Sequence, residues 1–324
     1  MNLSVRMGKK SRRNRATKKK RAKAKAAAPP SPANAPPSPS PADKHDGESL
    51  HAAVVAKQKV PGVGQGALPY QDSIPMYRTM FSAMGKQEWW WVMDDTLAEV
   101  GATLRRNHFA VLDGFLGGVA AQLAVAVRGE VRAVYEAGLV PDAKPVMEGC
   151  PRLEPGALAG GRSGHGLAYV MQPVRGDHVA WFGGDEPACR FKALPVLLQR
   201  VDTLVSELAP HVPELRGVKN RTKAMVTCYP GGGARYVRHC DTTRGATHNG
   251  RILTALYYAN GGEWSAEDGG ELRVFAPMNS TEDPVVERAT LPPLGDRLVI
   301  FWSDNRVPHE VLAAHFQRFA CTLW

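Results

Sequence analysis

In the stretch GARYVRHCDTTRG, residues 233–245, His239 and Asp241 stand two apart with Cys240 between them. Alternate side chains of a β-strand share a face, so an extended backbone here projects an imidazole and a carboxylate together. On this spacing alone a surface His–Asp hydrogen bond accounts for the pair. A third group changes the reading: His309, in FWSDNRVPHEV, follows Asp241 by 68 residues and lies just past the apolar run RLVIFWS. Two imidazoles and one carboxylate form the facial set of non-haem Fe(II) oxygenases, which leaves positions open for substrate and dioxygen. Zinc takes the same residue types, so the ligand set does not by itself name the metal.

Arg318 lies nine positions after His309 and opens the strand-like run RFACTLW, where alternation puts Arg318, Ala320 and Thr322 on one face. A guanidinium on the inner face of a barrel is costly unless it meets an anion. Its parallel donors match a carboxylate, which suits a dicarboxylate cosubstrate reaching inward to the metal. Tyr258, in ALYYAN, is placed to add a hydroxyl to that carboxylate. A buried Arg–Glu pair within the sheet is the alternative. The same alternation turns Cys240 away from the metal and into the core, while His165, His178, His248 and His315 read as solvated or packed histidines.

These groups need elements to hold them. From residue 222 onward the chain breaks into short strands punctuated by glycine: AMVTCYP, YVRHCD, ILTALYYAN, GELRVFAP, DRLVIFWS and RFACTLW. Strands at this spacing without intervening helices indicate a double-sheet antiparallel architecture. Ahead of them, Asp94 or Asp95 caps a helix with Leu97, Val100 and Leu104 on one face. HFAVLDGF reads as a strand, and LGGVAAQLAVAVRGEVRAVYEAG as a helix with Leu116, Val119, Leu123, Val127, Val131 and Val134 in one stripe. A further helix carries Leu194, Leu197, Val201, Leu204 and Leu208 inward. Trp89–Trp91 reads as packing rather than as a cofactor box.

The expected class is therefore α+β, a jelly-roll core flanked by helices, behind a disordered basic N-terminal tail. Three parts are expected: a basic and Pro/Ser/Ala-rich tail over 1–66, a helical support region with first strands and a substrate lid over 67–217, and the catalytic β-domain over 218–324. The formal charge of +10 belongs to the tail, because residues 1–28 hold twelve Lys/Arg and no acid. Without them, 29 basic residues face 31 acidic ones. A nucleic-acid role is thus not expected of the catalytic domain, although the tail could serve as a nuclear address or a nucleic-acid handle. Five scattered cysteines without a Cys-x-x-Cys pair fit a reducing compartment rather than a disulfide framework. No stretch reaches the ~18–20 apolar residues of a membrane span. A monomer in the nucleus or cytoplasm is expected.

The motifs NRTKAMVTCYPGGGARYVRHCD, YYAN, GGELRVF, DRLVIFWSDNRVPHEV and RFACTLW together resemble the catalytic domain of the hypoxia-inducible-factor prolyl hydroxylases. The resemblance is dense over 218–324 and thinner over 106–217, where VRGDHVAWFGGDEPAC is similar to the family's approach to a mobile lid. It implies a double-stranded β-helix, Fe(II) on His239, Asp241 and His309, and 2-oxoglutarate held by Arg318 and Tyr258 with Tyr229 against it. It further implies ascorbate as reductant and a proline-containing protein as substrate. Arg251 is the implied substrate contact, Trp302 and Trp324 line the pocket, and the Arg175–Gly176–Asp177 turn with the loop after it closes over the peptide. The implied reaction is 4-hydroxylation of a peptidyl proline, in oxygen sensing. Two departures from the family, a sequence that stops at Trp324 and a basic tail in place of a cysteine-rich zinc module, concern the peptide substrate rather than the chemistry. A 2-oxoglutarate-dependent nucleic-acid demethylase and a non-catalytic binding module on the same fold are the other readings. The demethylases carry a second arginine shortly after the cosubstrate arginine, and RFACTLW has none.

Overall fold

The computed structural model describes residues 80–82, 89–138, 153–160, 167–184, 186, 191–242, 249–278, 280–283 and 285–324. The expected tail over 1–66, together with His165 and His248, lies outside the described residues. In chain order the elements are β1 (Met80–Ser82), α1 (Asp94–Asn107), β2 (Phe109–Asp113), α2 (Gln122–Gly138), β3 (Glu154–Pro155), β4 (Leu158–Gly160), β5 (Leu167–Tyr169) and β6 (His178–Phe182). Then come α3 (Ala193–Leu208), β7 (Ala224–Tyr229), β8 (Ala234–His239), β9 (Leu253–Tyr258), β10 (Leu272–Phe275), β11 (Glu287–Leu291), β12 (Arg297–Trp302), β13 (His309–Ala314) and β14 (Arg318–Leu323).

The strands form an eight-stranded sheet in the order β1-β2-β12-β9-β14-β7-β6-β3 and a four-stranded sheet in the order β11-β10-β13-β8, with β4 and β5 as a separate pair. Apart from the parallel β1–β2 pair, every pairing is antiparallel. This is the expected two-sheet β-helix, flanked by helices. Strands β9, β12 and β14 are buried along their whole length. One face is covered by the helices: Phe319 meets Tyr135 of α2 edge-on at 5.6 Å, and the Trp302 indole N–H donates to Leu104 O of α1 at 3.3 Å. The opposite face looks onto the smaller sheet.

The helices pack through the expected stripes, Leu97, Val100 and Leu104 on α1 and Leu194, Leu197, Val201, Leu204 and Leu208 on α3. Three local expectations change. Met93, not an aspartate, occupies the cap position of α1, and Asp94 and Asp95 sit in its first turn, where they favour the helix through its dipole. Helix α2 begins at Gln122 rather than Leu116, because Gly117 and Gly118 adopt positive φ, and this leaves Val119 exposed and Leu123 half-buried. Strands β1, β3, β4, β5, β6, β11 and β13 are additional to the runs read from the sequence. Trp90 and Trp91 are core residues whose indole N–H groups donate to Gly114 O and Phe115 O, while Trp89 is exposed beneath Arg200.

Two carboxylates organise the helical layer from a distance. Glu130 of α2 accepts the backbone N–H groups of Lys192, Ala193 and Leu194, at 2.6–3.1 Å, and so caps α3 in place of a local residue. Asp296, at φ +59, accepts Leu116 N–H, Gly118 N–H and the Tyr257 hydroxyl. Burial outweighs these bonds and pushes its carboxyl from 3.8 up to about 6. The folded protein therefore holds this proton more tightly than the unfolded chain does. Its stabilising contribution is complete below about pH 4 and is lost as pH rises to about 6. Asp296→Asn, which stays neutral and tolerates positive φ, is expected to flatten that fall by about 1–3 kcal/mol. Urea midpoints measured from about pH 4 to 7 check this, and parallel wild-type and variant curves would contradict it.

Candidate metal centre and cosubstrate pocket

His239 closes β8 and His309 opens β13, and the two residues pair directly across the smaller sheet. The register between them slips: His309 faces His239, but Val311 faces Tyr236, so β8 carries one extra residue. This bulge turns Tyr236 and His239, three apart in sequence, onto the same face, with ring centroids 3.7 Å apart. Asp241 does not belong to the strand. It sits in the bend after it, so turn geometry rather than simple alternation brings its carboxylate alongside His239.

The donor atoms of His239, Asp241 and His309 all lie within 4.8 Å of one another. Asp241 Oδ1 is 3.7 Å from His239 Nε2 and 3.9 Å from His309 Nε2. The two spans from the carboxylate are less than twice a ligand bond of about 2.1 Å, and the three donors lie close enough together to hold one ion. Both rings are oriented in the same way: Nδ1–H donates at 2.9 Å to a carbonyl two residues earlier, Val237 O for His239 and Val307 O for His309. That bond selects the tautomer whose Nε2 lone pair points into the site. Desolvation and the neighbouring His309 push His239 down to about 3, so it is neutral at pH 7. Although burial opposes it, His309 and His239, then Thr254, hold Asp241 below its ordinary value and keep it ionised. A divalent metal binds imidazole in its neutral form and carboxylate in its ionised form, and the shifts of His239 and Asp241 run in those directions.

The larger sheet supplies the support. Thr254 Oγ1, on β9, donates to Asp241 Oδ2 at 2.6 Å and is itself 2.8 Å from Ser303 Oγ. Asp241 thus turns one oxygen toward the histidines and spends the other on the protein. Phe301 of β12 meets His309 edge-on at 4.8 Å.

Deeper between the sheets lies Arg318, only 1% exposed. Its Nε donates to Gly270 O at 2.7 Å and its Nη2 to the Tyr258 hydroxyl oxygen at 3.4 Å. Tyr229 and Tyr258 bracket the guanidinium, with centroids 4.9 and 5.0 Å from its carbon. Burial raises both phenols, so both stay protonated. Among the described residues no ion pair joins a carboxylate to Arg318, which favours the cosubstrate reading over the internal Arg–Glu alternative. Tyr229 also packs with Val311, Ala314 and Tyr236, so a single wall runs from the guanidinium to the ring on His239. The residues fit the groups expected of them: three ligands for a divalent metal, and a desolvated fork lacking an anion.

Comparison with known proteins agrees. Residues 224–324 match the family model described as the 2OG-Fe(II) oxygenase superfamily. Prolyl hydroxylase EGLN3 of Mus musculus is 37% identical over 222 residues, covering 68% of this chain and 79% of that one. The chain belongs to the EGLN-type prolyl hydroxylases, 2OG-Fe(II) oxygenases. Among solved structures, a Trichoplax adhaerens prolyl hydroxylase in complex with a hypoxia-inducible-factor oxygen degradation domain peptide aligns with TM-score 0.57 and 32% identity. It covers 75% of this chain and 94% of the Trichoplax one. A Pseudomonas putida prolyl-4-hydroxylase aligns with TM-score 0.51 and 28% identity, over 70% and 97% of the two chains.

Other residues expected in this prolyl hydroxylase site fall in different places. Arg251 lies at the site, its guanidinium 3.7 Å from the Trp324 ring centroid and its Nη1 donating to Asp241 O. Trp324 joins it, with a buried indole N–H that makes no hydrogen bond to the described residues and a ring 6.1 Å from that of Trp181. Trp302 does not line the pocket. One residue after Phe301, it points through the sheet to α1, because neighbouring side chains on a strand take opposite faces. Arg175 is not free to meet a peptide either: it grips the buried Asp177 through Nε and Nη2 at 2.7 and 3.0 Å and lies over Tyr236. The turn it belongs to is fastened to β8, Gly176 N–H to Arg235 O and Val237 N–H to Val174 O, which makes it a fixed wall behind Tyr236. Cys240 is half-buried beside Met278 rather than in the core, His178 lies on β6 and His315 is exposed.

Thr254, Ser303, Tyr236 and Phe301 escaped the sequence reading. They sit in ordinary apolar runs, and only the pairing of strands brings them to the ligands. His309→Ala is expected to abolish Mn(II) binding in a calorimetric titration of the full-length protein. Thr254→Val, which leaves Asp241 Oδ2 without its donor, is expected to weaken it by about 10–100-fold. Wild-type affinity in either variant would contradict the assignment.

Proposed function

We propose that this protein hydroxylates C4 of a proline in a protein substrate, coupled to decarboxylation of 2-oxoglutarate, in the manner of oxygen-sensing prolyl hydroxylases. The observation that carries the reading is the pairing of an Nε2-presenting His–Asp–His set with a buried guanidinium that has no carboxylate partner among the described residues. When bound, Fe(II) and 2-oxoglutarate supply activation of dioxygen, with release of succinate and carbon dioxide and delivery of one oxygen atom to the substrate.

The chain's own residues do the rest. Arg318 and the protonated Tyr258 hold the far carboxylate of the diacid, and Tyr229 lies along its stem. A diacid fixed at that end presents its other end toward His239, Asp241 and His309, so binding and orientation are one event. Thr254 keeps Asp241 aimed, and Phe301 and Tyr236 keep solvent from the rings of His309 and His239. Arg251, Trp324 and Trp181 form the entry, where a cation and two indoles give a peptide apolar area and donors for its carbonyl groups. The Trichoplax neighbour is in complex with a hypoxia-inducible-factor oxygen degradation domain peptide, which supports a protein substrate here. Ascorbate is proposed as the reductant that keeps the iron ferrous. A monomer in the nucleus or cytoplasm is proposed, and the Lys/Arg-rich residues 1–28 favour a nuclear address.

Full-length protein with Fe(II), 2-oxoglutarate and ascorbate is expected to release succinate faster when a proline-containing peptide from the oxygen degradation domain is added. Mass spectrometry is expected to show one added oxygen on the proline. Metal binding without peptide-stimulated turnover would reject the reading, and stimulation by a methylated oligonucleotide instead would favour demethylation. Arg318→Lys, a point charge in place of a fork, is expected to raise the 2-oxoglutarate KM by at least about tenfold. An unchanged KM would remove Arg318 from its role.

A further inference from the structure

The corner between β9 and β10 is unusually well fastened. The Trp264 indole N–H donates to Gly269 O at 2.8 Å, and Ser265 and Asp268 close a reciprocal cap around the short turn Ala266–Asp268. Gly270 N–H donates to Ala313 O at 3.0 Å and His315 N–H to Asp268 O at 2.8 Å, which ties the corner to the end of β13 immediately before β14. Its last two residues, Gly269 and Gly270, both adopt positive φ, +64 and +75.

The two glycines differ in what surrounds them. A Cβ on Gly269 would lie 2.1 Å from Ala313 O, a backbone atom, so the requirement there belongs to the fold. On Gly270 the nearest atom to a Cβ is Arg318 Cδ at 2.9 Å, followed by Ala314 Cβ at 3.2 Å. The space left by the missing side chain is the space in which the stem of Arg318 lies. The carbonyl of the same residue takes Arg318 Nε at 2.7 Å. With Nε engaged there and Nη2 in contact with Tyr258, the edge of the guanidinium left for a carboxylate is the Nη1–Nη2 pair.

We propose that Gly270 is a positioning residue for 2-oxoglutarate: its absent side chain seats the stem of Arg318, and its carbonyl sets which edge of the fork faces the pocket. This rests on Arg318 being the cosubstrate anchor. Gly270 acts on the diacid through Arg318 and is remote from the metal ligands in the chain of contacts, so it must affect one affinity and spare the other.

The test uses full-length protein and two titrations, Mn(II) alone and 2-oxoglutarate into the Mn(II)-loaded protein, neither of which needs a peptide or turnover. Gly270→Ala is expected to raise the 2-oxoglutarate Kd by at least about tenfold and to leave the Mn(II) Kd within about twofold. Because both changes act on the same fork, adding Gly270→Ala to Arg318→Lys is expected to weaken 2-oxoglutarate by no more than about twofold beyond Arg318→Lys alone. Gly270→Asn keeps the added Cβ on a residue more tolerant of positive φ and serves as the second variant. A wild-type 2-oxoglutarate Kd in a folded Gly270 variant, or penalties that multiply in the double variant, would overturn the proposal. Loss of folding and of Mn(II) binding in both Gly270 variants would assign the residue to the fold and overturn it equally. Should Arg318→Lys itself leave the 2-oxoglutarate Kd unchanged, the cosubstrate assignment falls; should it raise the Kd while the Gly270 variants do not, only the positioning role falls.

Discussion

A charged guanidinium lies between two β-sheets with no counter-charge from the described residues, and most of the structure around it follows from keeping it there. Desolvating an unpaired cation opposes folding strongly. Its hydrogen-bond and ring partners among the described residues are neutral groups: the Gly270 carbonyl, the Tyr258 hydroxyl oxygen and the faces of two tyrosines. An internal carboxylate would have been the more stabilising partner and would have closed the site. The arrangement instead reserves the charge for an anion from outside, the usual compromise between stability and function at a binding site.

Such a residue needs a rigid surround, and the layering supplies it. The large sheet is buried on both faces, with helices behind β9, β12 and β14 and the small sheet in front. Successive residues therefore serve different layers. Tyr257 bonds to Asp296 while Tyr258 meets Arg318; Phe319 packs on Tyr135 while Arg318 faces inward; Trp302 reaches α1 while Phe301 touches His309. Each of these strands ties the helical core to the site within a single pair of residues.

At the metal ligands the protein controls protonation by local means. Each imidazole is turned by a carbonyl two residues earlier in its own chain, and Asp241 is split between Thr254 and the histidines. The outer ring of restraint extends to Arg175 and Asp177 behind Tyr236. A turn that the sequence offered as a lid is, in the fold, part of the wall.

Much of this was legible in the linear chain. Residue types and order gave the ligand set, the anchor and its tyrosine, the two-sheet class and the helical stripes, because periodicity and chemical type are local properties. Strand-by-strand partnership is not local. Continuous apolar runs such as RLVIFW and LTALYY show no alternation when both faces are buried, so Trp302 and Phe301 could not be sorted to their sides and Thr254 had no visible purpose. The bulge in β8 that places Tyr236 against His239, the bend that delivers Asp241, and the glycine corner that seats Arg318 depend on contacts with segments far away in sequence. Chemistry was written in the residues; aim was decided by the folded chain, because the direction of a side chain is set by what its backbone is bonded to.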